Sequence, residues 1–388
     1  MWIDELKENI IDLSLERMKK FVSNEGKVKY EVIHVGGTNG KGSVCQFIAS
    51  ILGRKYRVGV YTSPHLERVN ERIVVNGKEI EDEEIAKYEY LKKYGFTYFE
   101  ALTAMAILYF KEKKVEYAVM EVGLGGRCDA TNVVDPTVTI ITNVAKEHEK
   151  YLGNDIISIA REKAGIIKDA PVITAARGKA LEVVKKVAKE RSVEIYIIGK
   201  DVVWRKTGRR KFVVQSEEKY EVESRLYGNF QGENIAIAVK ACELLDIEKE
   251  SIIEGIKNAK WPGRMEKIGK FLLDGCHNPY AIEAFVSSLE DFDYEQLIII
   301  FGAMKDKDLD EMIMRLPEGK YIAVKIENER AAEPEKIAEI GEKYGKKFHI
   351  AENVAKAIKI ADGMAGENDM VCIIGSLYLV GEARKTLL

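Results

Sequence analysis

The sequence is poor in cysteine and histidine and lacks a long apolar run. Its 388 residues include five cysteines, at positions 45, 128, 242, 276 and 372, with no Cys-x-x-Cys pair among them. This spacing argues against a disulfide scaffold or a zinc site and favours a reducing, cytoplasmic compartment. The longest membrane-like stretch, ALTAMAILYF, has only ten residues, too few to cross a bilayer, and predicts a buried helix.

An excess of either charge is also missing. The chain carries 60 Lys and Arg against 63 Asp and Glu, a formal net charge of −3. No global basic field therefore indicates a nucleic acid or an anionic membrane as partner. One locally basic segment, RKTGRRK at residues 205–211, lies between apolar stretches and predicts a solvated hairpin tip. The N-terminal MWIDELKENIIDLSLERMKKF has helical apolar spacing with acidic residues in its first turns, unlike a signal peptide.

Short apolar runs alternate with helical patterns along most of the chain. This alternation is typical of a mainly parallel sheet, so α/β is the predicted fold class. Strands are predicted at 31–37, 57–63, 116–123, 137–144, 170–176 and 193–199, and again at 270–275, 296–304, 320–326 and 369–376. The helix-breaking WPGR at 261–264 separates the two series. We therefore predict two domains, 1–260 and 261–388, with a β-ribbon at 202–224 inserted in the first.

The segment HVGGTNGKGSV, residues 34–44, predicts a strand, a glycine-rich turn and the start of a helix. Such a unit directs backbone N–H groups and a helix N-terminus toward an anion. It departs from the Walker pattern because Val35 stands where the first glycine belongs and Gly42 separates Lys41 from Ser43. Lys41 can supply a cation to phosphates, and Ser43 can offer a hydroxyl to Mg²⁺. A glycine-rich turn without a ligand is the alternative.

Nine motifs carry a resemblance to a known family. They are GTNGKGSV, YTSPHLERVNERI, TYFE, EVGLGGRCDATN, EKAGIIK, WPGRME, LDGCHNPYA, FGAMKDKD and GSLYLVGEAR, in this order from Gly37 to Arg384. Together they resemble the folylpolyglutamate synthase/dihydrofolate synthase family of the Mur ligase superfamily, over nearly the whole chain. The resemblance implies a P-loop, Mur-ligase-like central domain with a mainly parallel sheet. It also implies a smaller, Rossmann-like C-terminal α/β domain that serves as the glutamate ligase domain.

The resemblance implies an ATP-dependent ligase that adds L-glutamate to the carboxylate of a pteroate or folate. In this family the carboxylate takes the γ-phosphoryl group of ATP, and the glutamate amine attacks the resulting acyl phosphate. Two other hypotheses stay open, a Mur-type ligase with a different acceptor and a P-loop nucleotide-binding switch that is not a ligase. Dihydrofolate synthesis, polyglutamate extension or both in one enzyme are equally open. So are the identity of the pterin and the length and linkage of the glutamate tail.

Phosphoryl transfer between anions needs concentrated positive charge, and the resemblance implies Mg²⁺, as two ions. The implied metal ligands are Ser43, Ser63, Glu121, His148 and Lys163, of which Lys163 is carbamylated in the enzymes that this chain resembles. The implied catalytic residues are Lys41, His148, Lys163 and His277. Glu121 follows an apolar run at the carboxyl end of a predicted strand, where α/β proteins bind ligands; a salt bridge to Arg127 is the alternative. Glu147 stands before His148, where the family usually has Asp.

The resemblance also implies ATP contacts outside the loop. The nucleotide-binding set is Gly37, Thr38, Asn39, Gly40, Lys41, Gly42, Ser43, Asn234, Arg264 and Asp274. Arg264 offers a fork of donors to phosphate oxygens, and Asp274 can accept from ribose or adenine. His277 is implied near the γ-phosphate, with a plain strand-to-helix turn as the alternative for DGCHNPYA. Phe230 stands where the family often has His.

The resemblance finally implies a substrate set. It comprises Arg72, Thr97, Tyr98, Phe99, Glu100, Cys128, Asp129, Ala130, Arg330 and Ser376. The rings of Tyr98 and Phe99 can stack on a flat pterin, with core packing as the alternative. We therefore expect ATP, L-glutamate and a folate or pteroate as partners, with no nucleic acid and no membrane. Family members are commonly monomeric, so we also expect a monomer.

Overall fold

The structure is a computed structural model that describes residues 1–7, 10, 12–26, 28–146 and 149–388, without the side chains of residues 149 and 150. Its contacts divide the chain into two compact units. The first comprises Met1–Thr207, Lys211–Arg225 and Gly232–Ala259, and the second comprises Gly208–Arg210, Leu226–Gln231 and Lys260–Leu388. The main transition between them lies beside the predicted domain boundary, which itself stays a prediction.

An eight-stranded sheet with the order β4-β3-β2-β5-β1-β6-β7-β8 forms the centre of the first unit. Its strands are β1 (Glu31–Gly36), β2 (Val58–Tyr61), β3 (Ile73–Val75), β4 (Lys78–Glu79), β5 (Tyr117–Glu121), β6 (Val138–Ile141), β7 (Val172–Thr174) and β8 (Ile195–Ile197). The six neighbouring strands β2, β5, β1, β6, β7 and β8 are parallel. Strands β3 and β4 form an antiparallel hairpin that pairs with β2 at one edge of the sheet. Central strands β1 and β5 are almost wholly buried, so their sequences are near-continuous apolar runs.

The helices of the first unit include the predicted core helix. They are α1 (Glu16–Glu25), α2 (Lys41–Leu52), α3 (Asp82–Lys87), α4 (Tyr98–Glu112), α5 (Glu149–Leu152), α6 (Ile156–Ala164), α7 (Gly178–Glu190), α8 (Gln231–Glu243) and α9 (Lys249–Asn258). Short 3₁₀ turns occur at Trp2–Glu5, Val69–Arg72, Glu89–Tyr94 and Ala130–Val133. The stretch ALTAMAILYF forms the middle of α4 and is buried along its whole length, which confirms that prediction.

A three-stranded ribbon follows β8 and is also confirmed. Its strands are β9 (Val203–Gly208), β10 (Lys211–Gln215) and β11 (Lys219–Glu223). The chain turns between β9 and β10 at Arg209 and Arg210, inside the basic segment predicted as a hairpin tip. Arg209 pairs with Asp293, and the Arg210 guanidinium lies 5.1 Å from the ring centre of Tyr227.

The second unit is built on a six-stranded sheet with the order β12-β13-β17-β14-β15-β16. Its strands are β12 (Glu266–Ile268), β13 (Phe271–Asp274), β14 (Leu297–Phe301), β15 (Lys320–Val324), β16 (Phe348–Ala351) and β17 (Met370–Ile374). Its helices are α10 (Pro279–Ser287), α11 (Leu309–Met314), α12 (Pro334–Lys343), α13 (Val354–Met364) and α14 (Leu377–Leu387), with a 3₁₀ turn at Leu289–Asp291. β12 is antiparallel to its neighbour and the other pairs are parallel. The predicted α/β class with mainly parallel sheets is confirmed.

The N-terminal segment differs from the sequence prediction. Instead of one continuous helical pattern, the structure has the turn at Trp2–Glu5 and then α1, and residues 12–15 before α1 are not helical. Trp2 and Phe21 are nevertheless buried in the same hydrophobic cluster, so the apolar spacing does identify residues of the core. Across the described residues, we find no helix with the length and apolar character needed to traverse a lipid bilayer.

Candidate active site

Four neighbouring parallel strands bring Ser63, Glu121 and the glycine-rich loop to one edge of the first unit's sheet. These strands have the order β2-β5-β1-β6. Ser63 follows β2, Glu121 ends β5 and the glycine-rich loop follows β1, so all three lie at the carboxyl ends of adjacent strands. Open α/β sheets bind their ligands at this edge. His148 lies outside the described residues, and its role stays a prediction.

The glycine-rich loop is braced by the end of β6. A Cβ at Gly37, which has a φ of +134°, would come within 2.0 Å of the Thr142 hydroxyl oxygen. The backbone N–H of Thr38 donates to the Asn143 carbonyl at 2.9 Å, and that of Asn39 donates to Asn143 Oδ1 at 2.9 Å. The Thr142 hydroxyl donates to the Asn39 carbonyl at 2.7 Å. Sequence reasoning missed these two supporting residues, although two polar residues directly after a buried strand were a usable signal.

Two lysines converge on a single carbonyl in this loop. Lys41 Nζ donates to the Gly37 and Thr38 carbonyls at 3.1 and 3.0 Å. Lys163 Nζ, which α6 carries and which is fully buried, donates to the same Gly37 carbonyl at 2.9 Å. Two ammonium groups this close repel one another where water is scarce. The arrangement therefore favours an anion at the loop.

Glu121 is a buried carboxylate beside the loop. Its Oε2 accepts a hydrogen bond from the backbone N–H of Ser63 at 3.0 Å, and only 3% of the residue is exposed. Arg127, the alternative partner, pairs with Glu162 at 2.9 Å. Burying a carboxylate is costly unless it is hydrogen-bonded or faces a cation, so this position suits a metal ligand.

The donor types at this edge fit a magnesium ion. Ser43 lies buried in the first turn of α2, and its hydroxyl and the Glu121 carboxylate are hard oxygen donors. Within the residues that the structure describes, no three His, Cys, Asp or Glu side chains gather into a metal-binding group. Mg²⁺ characteristically takes one or two protein oxygens and completes its octahedron with water and phosphate, so a sparse set is compatible with it.

Asn234 lies beside the loop, as its predicted nucleotide role requires. It stands in the first turn of α8, and its Oδ1 would be 2.4 Å from a Cβ placed on Gly40. Gly40 caps α2 with a φ of +86°, a conformation that suits glycine. The close approach of these two residues joins the start of α8 to the start of α2.

Thr97 and Glu100 form the N-terminal capping box of α4. The Glu100 backbone N–H donates to Thr97 Oγ1 at 3.3 Å, and the Thr97 N–H donates to Glu100 Oε2 at 2.8 Å. Arg17 also donates to Glu100 Oε2 at 2.8 Å. The two residues therefore have a structural task at this helix start, and their predicted contact with substrate stays a prediction.

Tyr98 and Phe99, which open α4, make different contacts. Tyr98 is buried, and the Arg72 guanidinium lies 5.2 Å from its ring centre. Arg72 is itself buried and its Nε donates to His65 Nδ1 at 2.9 Å. Phe99 is half-buried, and its ring would be 2.4 Å from a Cβ at Gly123, in the turn after β5. Of the two rings, Phe99 retains the exposure that stacking on a flat ligand requires.

The segment Cys128–Ala130 is held by its central carboxylate. Asp129 Oδ2 accepts from the backbone N–H groups of Gly123 and Leu124 at 3.0 and 2.8 Å. Its Oδ1 accepts from the backbone N–H and the hydroxyl of Thr131 at 3.0 and 2.5 Å. Burial raises the pKa of Asp129, and these hydrogen bonds oppose that rise. Cys128 remains half-buried, and Ala130 begins the following 3₁₀ turn.

In the second unit, Asp274 ends β13 and organises the turn that follows. It is buried, and its carboxylate accepts from the backbone N–H groups of Met265 and Cys276 at 2.9 and 2.8 Å. Burial raises the pKa of Asp274, while the charge of Arg264 opposes that rise. His277 Nδ1 lies 2.9 Å from the Gly275 carbonyl. Arg264, Asp274 and His277 are thus brought together at one end of β13.

Ser376 and Arg330 lie elsewhere in the second unit. Ser376 is buried, follows β17 and caps α14 by accepting from the Tyr378 N–H at 3.2 Å. Because β17 is the parallel neighbour of β13, it shares the sheet edge of Asp274. Arg330 is more exposed and pairs with Asp306 at 2.9 Å. The predicted roles of both residues in binding substrate stay predictions.

Comparison with known protein families matches most of the chain to two models. Residues 35–242 match the Mur ligase middle domain. Residues 263–377 match the glutamate ligase domain of Mur ligases. The first match includes the loop, Ser63, Glu121 and Lys163, and the second includes Asp274 and Ser376.

Two curated relatives and one solved structure illustrate the similarity. A protein of Bacillus subtilis named dihydrofolate synthase/folylpolyglutamate synthase is 36% identical over 96% of this chain and 94% of its own length. A Haloferax volcanii protein, named "Probable bifunctional folylpolyglutamate synthase/dihydropteroate synthase", is 35% identical, and this chain spans about half of it, 48%. The Yersinia pestis folylpolyglutamate synthase/dihydrofolate synthase, solved with AMPPNP and a Mn ion, is 29% identical with a TM-score of 0.90, covering 100% of this chain and 96% of that one. The chain thus belongs to the folylpolyglutamate synthase/dihydrofolate synthase family of Mur ligases.

Proposed function

We propose that this protein is an ATP-dependent ligase that joins L-glutamate to the carboxylate of a pteroate or folate, as a folylpolyglutamate synthase, a dihydrofolate synthase or both. The observation that carries the proposal is the convergence of Lys41 and Lys163 on the Gly37 carbonyl, at the sheet edge that also presents Glu121. The Lys41 cation and the Glu121 carboxylate, a hard oxygen donor for Mg²⁺, suit phosphoryl transfer between anions at this edge. Family membership supplies the reaction class and the substrates.

The proposed reaction has two balanced steps. An oxygen of the acceptor carboxylate attacks the γ-phosphorus of ATP, the bond to the β,γ-bridging oxygen breaks, and ADP leaves. The glutamate amine then attacks the acyl carbon, inorganic phosphate leaves with the electron pair of the broken C–O bond, and the amine nitrogen loses a proton. In this scheme Lys41 and the loop N–H groups that do not donate to Asn143 bind phosphate oxygens and orient the γ-phosphoryl group. Arg264, Asp274, His277 and Asn234 contact the nucleotide.

The proposed cofactors are ATP and two magnesium ions. When bound, Mg²⁺ supplies charge neutralisation at the β- and γ-phosphates, and Ser43, Ser63, Glu121 and His148 are the residues that would hold it. Arg72, Tyr98, Phe99 and the segment Cys128–Ala130 form the proposed acceptor subsite. Arg330 and Ser376 are proposed to receive substrate carboxylates.

We also propose that Lys163 is carbamylated in the working enzyme. Addition of CO₂ to its amine would replace a buried cation with an anion that can bind a metal. Native mass spectrometry of the protein equilibrated with bicarbonate should show one added CO₂ that the Lys163→Arg variant lacks. An identical mass for the two proteins, apart from the substitution, would contradict the carbamylation.

The ligase function is tested by ADP release with ATP, Mg²⁺ and a panel of pterin acceptors. We expect ADP release to need both L-glutamate and a pteroate or folate, and mass spectrometry to show the glutamylated product. Stimulation by a different carboxylic acid would identify a Mur-type ligase with another acceptor. ADP release that no acceptor stimulates would instead favour a nucleotide-binding switch and refute the proposal.

We further propose a cytoplasmic monomer that acts only on small molecules. The five cysteines are all free thiols, and four of them are buried, which suits a reducing compartment. The near-neutral formal charge of −3 gives no attraction to a nucleic acid. Sedimentation equilibrium of the purified chain, with and without ATP, would reveal any association.

A further inference from the structure

A buried histidine that the proposed mechanism does not use connects β1 with the acceptor side of the site. His34 lies in β1, three residues before Gly37, and is fully buried. Its Nε2 lies 2.8 Å from the Thr131 hydroxyl oxygen. Thr131 in turn contacts Asp129, whose carboxylate holds the turn after β5. Three side chains therefore form one continuous hydrogen-bonded chain.

The direction of each hydrogen bond in this chain follows from its chemistry. A carboxylate has no proton to give, so the Thr131 hydroxyl donates to Asp129 Oδ1. The Thr131 oxygen can then only accept from His34, which places the imidazole proton on Nε2. His34 Nδ1 is consequently a bare acceptor, and it has no hydrogen-bond partner in the described part of the chain. Burying that bare nitrogen costs free energy, which a leucine at this position would avoid.

The charge state of His34 makes it a constant donor. Burial, together with the charge of Lys168, lowers the pKa of His34 to about 3. The ring is therefore neutral throughout the physiological range, and Nε2–H donates to Thr131 at every working pH. This behaviour fits a fixed structural link and excludes a pH-sensitive switch.

Asp129 connects the hydrogen-bonded chain from His34 to two segments of the candidate site. One oxygen binds the N–H groups of Gly123 and Leu124, which follow Glu121 by two and three residues. The other binds Thr131, the residue directly after the segment Cys128–Ala130. An Asp129 rotated about its side-chain bonds would release both segments. The Thr131 hydroxyl fixes that rotation, and His34 fixes the hydroxyl.

We propose that His34 is a positioning residue for the acceptor subsite, acting through Thr131 and Asp129 on the segment Cys128–Ala130 and on the turn after Glu121. This inference rests on the proposed function only for the identity of the subsite. The hydrogen-bonded chain itself is independent of the substrate. Its loss should shift the acceptor KM and leave the ATP loop, which β6 braces separately, unaffected.

The test compares two substitutions of His34 that differ in one donor. In His34→Gln the amide nitrogen can occupy the place of Nε2 and donate to Thr131. In His34→Leu the donor is gone and the apolar volume remains. We expect His34→Leu to raise the KM for dihydropteroate about tenfold, as expected for an acceptor left misaligned by one lost hydrogen bond. The KM values for ATP and L-glutamate should stay within about twofold, and His34→Gln should restore the dihydropteroate KM.

Amide hydrogen exchange gives a second readout that needs no substrate. The N–H groups of Gly123, Leu124 and Thr131 donate to Asp129 and should exchange about tenfold faster in His34→Leu than in the wild type. The N–H of Val122 donates to the Val35 carbonyl across the sheet and should keep its rate. This readout separates the inference from the proposed function, because it stands even where dihydropteroate proves not to be an acceptor.

Thr131→Val gives an independent route should His34→Leu fail to fold. It removes the hydroxyl at nearly constant volume, whereas Thr131→Ser retains it, so only Thr131→Val should reproduce the KM and exchange effects. The double variant that combines Thr131→Val with His34→Leu should show KM and exchange effects close to those of either single variant, because both substitutions break the same hydrogen-bonded chain. Any of three results would overturn the inference. The first is unchanged amide exchange in the folded variants, and the second is full additivity of the two substitutions. The third is a rise of all three KM values together with faster exchange at Val122.

Discussion

At the scale of single residues, the candidate site combines two buried charges that form hydrogen bonds with the backbone. Lys163 is 1% exposed and donates to a backbone carbonyl, and Glu121 is 3% exposed and accepts from a backbone N–H. Backbone dipoles lower the cost of burying these charges without cancelling them.

Glu121→Gln should separate the charge of this residue from its hydrogen bond. The amide oxygen can still accept from the Ser63 N–H, so we expect the fold and its thermal midpoint to be retained. Loss of the negative charge should lower kcat for ADP release by about 10²–10³-fold, because a metal ion held at this carboxylate would lose an anionic ligand. Glu190→Gln is the control, since Glu190 is an exposed carboxylate whose only ion pair is to Lys186 at 3.8 Å in the described structure. Equal activity of the two variants would contradict a metal-binding role for Glu121.

The residues of the candidate site differ in how clearly the sequence indicates their role. Glu121 could be singled out because a carboxylate ends an apolar strand, a pattern visible in the sequence. Lys163 carries no such signal, since a lysine in a nine-residue helix is ordinarily solvated. Its burial arises because α6 packs against the sheet and directs this side chain to the Gly37 carbonyl, a long-range contact. Only the resemblance to a family identified Lys163, and no sequence signal identified His34.

At the scale of elements, helix starts carry half of the ten predicted substrate residues. Thr97, Tyr98, Phe99 and Glu100 lie at the start of α4, and Ser376 caps α14. Thr97, Glu100 and Ser376 each accept a backbone N–H near a helix start, where the first N–H groups need acceptors. A capping role and a substrate role are therefore compatible, and they must be separated by experiment.

Thr97→Ala, measured beside Asn353→Ala, makes this separation. Both residues cap helices through a side-chain oxygen, Thr97 at α4 and Asn353 at α13. Each substitution should lower the free energy of unfolding by about 1 kcal/mol in urea titrations, since one N-cap hydrogen bond is lost. Only Thr97→Ala should also raise the KM for the pterin acceptor. The same KM in both variants would show that Thr97 has only the capping role.

Element lengths explain which parts of the fold the sequence pattern predicts. The buried central strands β1, β5, β14 and β17 have five or six residues each and appear as apolar runs. The strands β3, β4, β12 and β16 have two to four residues and mostly exposed or half-exposed side chains. Such short peripheral strands form because a neighbouring strand offers backbone partners, and that neighbour is not visible in the local sequence.

At the scale of the whole molecule, burial of charge and candidate function coincide. In the described part of the chain, eight Asp, Glu, Lys or Arg residues are buried, and six of them belong to the candidate site set. These six are Arg72, Glu100, Glu121, Asp129, Lys163 and Asp274. Because each buried charge reduces stability unless it is compensated, the molecule carries this cost mainly where ligands are proposed to bind.

The pH dependence of global stability should include a contribution from the buried His34. Its folded-state pKa of about 3 lies below the ordinary value of 6.5, so the unfolded chain takes up a proton first as the pH falls. The stabilising effect of a neutral His34 is thus complete above pH 6.5 and is lost progressively below it, by about 1.4 kcal/mol per pH unit down to the folded-state pKa. Asp129 and Asp274, whose pKa values burial raises, act in the opposite direction as the pH falls.

The contribution of His34 can be isolated by comparing the wild type with His34→Gln. Glutamine does not titrate, and the two aspartates are common to both proteins, so their effects cancel in the difference. Urea unfolding at pH 7.5, 6.5 and 5.5 should show the wild type losing about 1 kcal/mol more than His34→Gln over the last interval and about 0.4 kcal/mol more over the first. Parallel stability curves across all three pH values would mean that His34 becomes protonated in the folded protein. A protonated ring would donate from both nitrogens, so such a result would place an acceptor beside Nδ1 and contradict the neutral state of His34, while its Nε2–H would still donate to Thr131.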